Sequence, residues 1–153
     1  MIRPYTGFGD NLMTRRTAAV LIPLLAFSAP ALAADGRHGI AFVQAVEQGG
    51  GVCTGATPQE AFACAKKKCV AQGAAAEDCI EQAWCYPGFW SVDLFVQSSE
   101  GPHWHEYFCG WNTRELALAA AKAACDPTVR KDVIECAPVA LYDEDGTEHP
   151  IEP

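Results

Sequence analysis

Cysteine placement constrains this chain more than any other feature: it has eight cysteines, and four of them mark out the same element twice. Cys53 and Cys69 are 16 residues apart, as are Cys109 and Cys125, and each interval holds a threonine followed by an alanine-rich run. At a constant offset of 56, Thr57, Ala61, Phe62, Ala65, Lys66 and Cys69 fall opposite Thr113, Ala117, Leu118, Ala121, Lys122 and Cys125. The pattern predicts a duplicated unit, neither copy of which is large enough to bury its own apolar face. An even number of cysteines in so short a chain reads as a bridge framework, provided that the chain leaves the reducing cytosol.

The first 33 residues read as an export signal. Arg15 and Arg16 form a basic start, residues 18–27 an apolar stretch, and Ala31-Leu32-Ala33 a small-x-small cleavage site, so the mature chain is expected to begin at Ala34. Thr17, Ala18 and Ala19 follow the arginine pair where twin-arginine export usually carries a bulky apolar residue, which favours general secretion. The apolar stretch falls well short of the roughly 20 residues that cross a bilayer. The mature form is therefore expected to lack a membrane span and to reside in the periplasm or be secreted.

Losing Arg3, Arg15, Arg16 and Asp10 with that segment moves the formal net charge from −8 to −10. So acidic a chain is no partner for a phosphate backbone, and its one basic run, Lys66-Lys67-Lys68, falls mostly on the solvated side of a helix.

At 100° per residue, Ala61, Phe62, Ala65, Cys69 and Gln72 share one arc of about 100°, as do Ala117, Leu118, Ala121, Ala124 and Cys125. The first helix is predicted from Pro58 to Gln72, with Thr57 as N-cap and Gly73 ending it; Thr113 caps the second, which Asp126-Pro127 ends. Residues 38–43, 90–96, 103–109 and 133–142 carry strand patterns; residues 79–86 read as strand by analogy with the second copy, and Val52-Cys53 as a short one. Each copy then reads ββαβ. The fold is expected to be α+β: a mostly antiparallel sheet with two helices on one face, held by disulfides. The expected organisation is a single domain over residues 34–142, with repeats at about 38–86 and 90–142. Pro87-Gly88 is the turn between the copies, Gly49-Gly50-Gly51 reads as another turn, and residues 143–153 read as a loosely held tail.

These residues carry a resemblance. The strand His38-Gly39-Ile40-Ala41, the helix running from Thr57 through Glu60, Ala61 and Ala65 to Cys69, and Asp78-Cys79 opening the next strand are repeated by residues 113–125 and by Glu135-Cys136. Over most of residues 39–142 the chain resembles a group of bacterial exported domains of unknown function, built from tandem strand, alanine-helix, strand repeats with a cysteine ending each helix. The resemblance implies export and a disulfide-held repeat fold, and carries no activity. Cys64 and the segments 85–90 and 103–111 depart from the pattern.

The most economical pairing links each helix end to the following strand, Cys69–Cys79 and Cys125–Cys136. Cys53, Cys64, Cys85 and Cys109 are left to form the other two bridges in an open arrangement. No Cys-x-x-Cys spacing supports a thiolate metal site.

Residues 101–111 (GPHWHEYFCGW) have the most unusual composition. On a strand, His103, His105 and Tyr107 share one face and Trp104, Glu106 and Phe108 the other. Two imidazoles at i and i+2 project in parallel and suit a divalent ion; a third ligand from His38, His149 or a carboxylate would have to come from the fold. No nucleophile elbow, redox pair, phosphate loop or calcium loop is present, so the chain is expected to be neither an enzyme nor a cofactor protein. The aromatic residues suggest a binding role instead. Trp90, Trp104 and Trp111 stand in two aromatic clusters, and whichever rings stay exposed would meet a protein, peptide or glycan partner. The leading expectation is an exported binding module; the alternative is a periplasmic metal-binding protein using His103 and His105.

Overall fold

Alanine and glycine set the packing distances of this protein. The computed structural model describes residues 36–151; the expected signal segment and its cleavage site lie outside the described residues. Strands β1 (Gly39–Ala45) and β2 (Gly49–Gly55) form a hairpin, followed by helix α1 (Pro58–Ala71) and strand β3 (Ile80–Cys85). The unit then recurs as β4 (Trp90–Ser98), β5 (His103–Trp111), α2 (Arg114–Ala124) and β6 (Val133–Tyr142), and a short β7 (Glu148–His149) closes the chain.

Both helices begin as their sequences predict. The Thr57 hydroxyl accepts the Glu60 amide at 3.3 Å and the Thr113 hydroxyl accepts the Leu116 amide at 3.2 Å. Ala61, Ala65 and Cys69 on α1 and Ala117 and Ala121 on α2 are fully buried. What they pack against explains the glycine run. A Cβ on Gly51 would lie 2.0 Å from the carbonyl oxygen of Ala65, so the helix rests on bare strand backbone. Gly49-Gly50-Gly51 is thus the first half of β2 and not the expected turn; its missing side chains are the seat of α1.

The ββαβ repeat, the antiparallel pairing and the disulfide staples are present, with strands divided between two sheets rather than joined in one. The orders are β2-β1-β3 and β5-β4-β6-β7. Each helix covers one face of its own sheet. Val43 and Ala45 pack with α1 residues, and Val92, Leu94 and Val96 with α2 residues. The opposite faces meet: Ile40, Phe42, Val52 and Ala83 of the first sheet share a cluster with Tyr107, Ala140 and Tyr142 of the second. Phe42 stacks on Tyr107 with ring centroids 4.6 Å apart and meets Tyr142 edge-on at 5.7 Å. Two sheets form because each copy spends one face on its own alanine helix and has one apolar face left to bury.

All eight cysteines are paired. Cys69–Cys79 and Cys125–Cys136 tie each helix end to the next strand, and the two remaining bridges are Cys53–Cys64 and Cys85–Cys109. The last two differ in kind: Cys53 ties its strand to its own helix, whereas Cys109 reaches the other sheet. A bulge accounts for this. Gly110 sits at φ +84°, and the β4–β5 register shifts between Trp90 and Val92. A one-residue shift sends every preceding side chain to the opposite face. Val52 faces the partner sheet while Phe108, its counterpart at offset 56, faces α2; Cys109 and Tyr107 accordingly turn toward the first sheet.

Residues 143–151, expected to be loosely held, are tied to the fold. Asp143 Oδ1 accepts the amides of Asp145 and Thr147 at 3.0 and 2.9 Å, so that β7 pairs back onto β6. Arg114 donates to the Pro150 carbonyl at 3.1 Å, and Ile151 packs against the second core.

Candidate functional site

The bulge at Gly110 aims His103, His105 and Tyr107 into a cleft of about 580 Å³ between the two sheets. The β1–β2 hairpin, including Gln44, Glu47 and Gly50, lines one wall, and Asp93 of β4 and Tyr142 of β6 line another. Lys68 of α1, its C-cap residue Gln72 and Glu148 of β7 complete the rim.

At its centre is a carboxylate–imidazole pair. Asp93 stands diagonally across the ladder from His105, since Asp93 faces Tyr107 and Phe95 faces His105 in register. Its Oδ1 lies 2.7 Å from His105 Nδ1. Asp93 is only 7% exposed, an uncommon depth for a carboxylate, and the imidazole compensates it. The hydrogen bond to Asp93 raises the His105 pKa; partial burial opposes the rise and the attraction of the two charges adds to it. With Nδ1 held by the carboxylate, Nε2 has no hydrogen-bond partner among the described residues. Tyr107 stacks beside the ring, with centroids 6.4 Å apart. Burial pushes the Tyr107 hydroxyl well above the usual phenol range; the nearby charge of Asp93 adds to this, and the Gln44 side chain within hydrogen-bonding reach opposes it. Tyr107 is therefore a neutral phenol at any physiological pH.

His103 and His105 share a face as expected, and each lies against a different carboxylate. His103 Nδ1 lies 3.6 Å from Glu47, whose carboxylate also accepts the His103 amide at 3.4 Å. The Phe95 ring touches both imidazoles, at 5.3 and 5.9 Å between centroids. Among the described residues no three His, Cys, Asp or Glu side chains converge on one point. His149, one possible third ligand, is held by Asp143 at 2.8 Å and tilts against Trp90. Glu106 faces away, as the alternation requires: Arg130 binds it through both guanidinium nitrogens at 2.8 and 2.6 Å, and Trp104 Nε1 donates to it at 3.0 Å.

Trp90, Trp104 and Trp111 are half-buried and pack against the core under α2, where they fill the space that alanine leaves. The well-exposed large apolar residues are aliphatic ones such as Val129 and Ile134, together with Tyr86. Asp93, the residue that organises the cleft, escapes a reading of residues 103–111 taken alone. Its signal in the sequence is a charge in the middle of an apolar strand, flanked by Val92 and Leu94.

Comparisons with protein-family models, with curated proteins and with solved structures each find no match to this chain.

Proposed function

We propose that the protein is an exported, disulfide-stapled binding module whose ligand seat is the cleft between its two sheets. One observation carries this reading: a deeply buried Asp93 fixes His105 by Nδ1 and leaves Nε2 to a cleft of small-molecule size. Four bridges that use every cysteine suit an oxidising compartment outside the cytosol. No helix among the described residues is long and apolar enough to cross a membrane.

Binding is preferred to turnover on chemical grounds. An oriented imidazole most often activates a serine, threonine or cysteine in nucleophilic catalysis, and the residues lining this cleft include none of these, while its two tyrosine hydroxyls are matched to Gln44 and Glu148. A ligand that enters meets hydrogen-bonding side chains on rigid strands, pre-positioned by the inter-sheet core.

Amide NMR spectra of the oxidised chain, titrated separately with small sugars, carboxylates and amines, test the proposal. The expected result is that at least one class shifts signals of residues 49–51, 93 and 103–107 together, and that His105→Gln abolishes the response. Shifts confined to other surfaces, or none with any class, would overturn it.

A further inference from the structure

Much of the hydrogen-bonding capacity along the cleft wall is engaged within the protein, and carboxylate oxygens are among the groups left over. Lys68 Nζ donates to the Val52 carbonyl at 2.7 Å, Gln48 Nε2 to Asp78 at 3.1 Å, and the Gly50 amide to Gln72 Oε1 at 2.9 Å. The Gln44 side chain reaches the Tyr107 hydroxyl, and the Tyr142 hydroxyl is matched to Glu148. On the acceptor side, Asp93 gives Oδ1 to His105, and Glu47 uses Oε1 alone for His103. Glu47 Oε2 has no hydrogen-bond partner among the described residues, and His105 Nε2, likewise without one, accepts only when the ring is neutral.

Charge follows the same direction. Three carboxylates, Asp93, Glu47 and Glu148, line the cleft against one lysine, which is turned to a carbonyl, and two histidines, of which His105 is already paired with Asp93. An entrant that brings donors together with a positive charge matches the carboxylate oxygens that His105 and His103 leave unused. A carboxylate or phosphate ligand would face three like charges, and a neutral polyol would supply donors without the charge.

We infer that the cleft takes a small organic cation bearing a primary ammonium group, which donates to Asp93 within the field of Glu47 and Glu148. This rests on the cleft being the ligand seat. Glu47 contributes from the rim, where its side chain is half-exposed, and Asp93 from the floor.

The test uses the full mature chain with its bridges intact, at physiological ionic strength and mildly alkaline pH. Butane-1,4-diamine is the probe, with glucose and acetate as comparators. Binding is followed by amide NMR in the wild type and in Asp93→Asn, Glu47→Gln and, as a surface control on the tail turn, Glu144→Gln. The diamine is expected to shift the cleft amides, to bind roughly tenfold more weakly to Asp93→Asn, and to bind Glu144→Gln as it binds the wild type. Glu47→Gln, at an exposed position that leaves the fold unchanged, is expected to weaken binding several-fold. If glucose or acetate moves the cleft amides and the diamine does not, the ammonium assignment is wrong and the ligand seat stands. If the diamine acts equally on all variants, or moves only scattered acidic surface, the assignment fails as nonspecific charge attraction. If no probe moves the cleft amides, the seat itself is overturned.

Discussion

Replacing Gly51 with alanine reverses the sign that strand chemistry alone would give. In an ordinary strand, alanine in place of glycine gains about 0.5–1 kcal/mol because the unfolded chain has less freedom to lose. Here the new Cβ would stand 2.0 Å from the Ala65 carbonyl oxygen, 2.9 Å from its carbon and 3.0 Å from the Cys69 amide nitrogen. Each of these atoms is helix backbone, so no rotamer change relieves the overlap and α1 must lift from β2 by more than an ångström. The bridges Cys53–Cys64 and Cys69–Cys79 hold α1 at two points along its length and resist that movement. Overpacking of this kind costs about 1–3 kcal/mol, a large part of the roughly 5–15 kcal/mol that holds a domain together. Guanidinium unfolding with disulfides intact, followed by tryptophan fluorescence, is the assay. The expected result is a lower midpoint at an unchanged slope. A midpoint equal to or above that of the wild type would refute direct seating of the helix on the glycine run.

Other perturbations test other parts of the structure. Gly110→Ala places a side chain at φ +84° and is expected to cost about 1 kcal/mol in the same assay, even though the nearest atom to the new Cβ, at 3.7 Å, leaves room for it. The raised pKa of His105 means that the Asp93–His105 pair stabilises the fold fully below the ordinary histidine value of 6.5 and less as pH rises through the folded value. A stability–pH profile of the wild type is therefore expected to decline above neutrality, and Asp93→Asn to flatten that decline. Arg130→Ala removes both guanidinium bonds from Glu106, whose pKa those bonds depress; the loss is expected to be about 1–3 kcal/mol near neutral pH in thermal unfolding, shrinking as acid protonates Glu106.

Local signals carried far in this sequence, and longer-range geometry did not. Thr57, Thr113 and the alanine stripes fixed both helices, because capping and helical periodicity depend on a few neighbouring residues. Cys69–Cys79 and Cys125–Cys136 were legible for the same reason: each joins a helix end to the next strand. The division into two sheets was hidden, since nothing in a strand's alternation says which strand lies beside it. The bulge at Gly110 was hidden more deeply. The interval from Cys109 to Thr113 equals that from Cys53 to Thr57, so a constant offset concealed that Cys109 and Cys53 face opposite ways. His103, His105 and Tyr107 were placed on one face correctly, but Asp93 reaches His105 across a ladder whose register only the fold supplies. The turn over residues 143–147 was hidden because polar composition suggests solvation, whereas Asp143 uses those polar groups to turn the chain back.

Mapping the disulfides of the oxidised protein by proteolysis and mass spectrometry tests the placement of the cleft most directly, because Cys109 shares its face of β5 with His105 and Tyr107. A peptide joining Cys85 to Cys109, with Cys53 joined to Cys64, is the expected result. Cys109 linked to Cys125 or Cys136 would turn that face toward α2, take His105 away from the space between the sheets, and contradict the site.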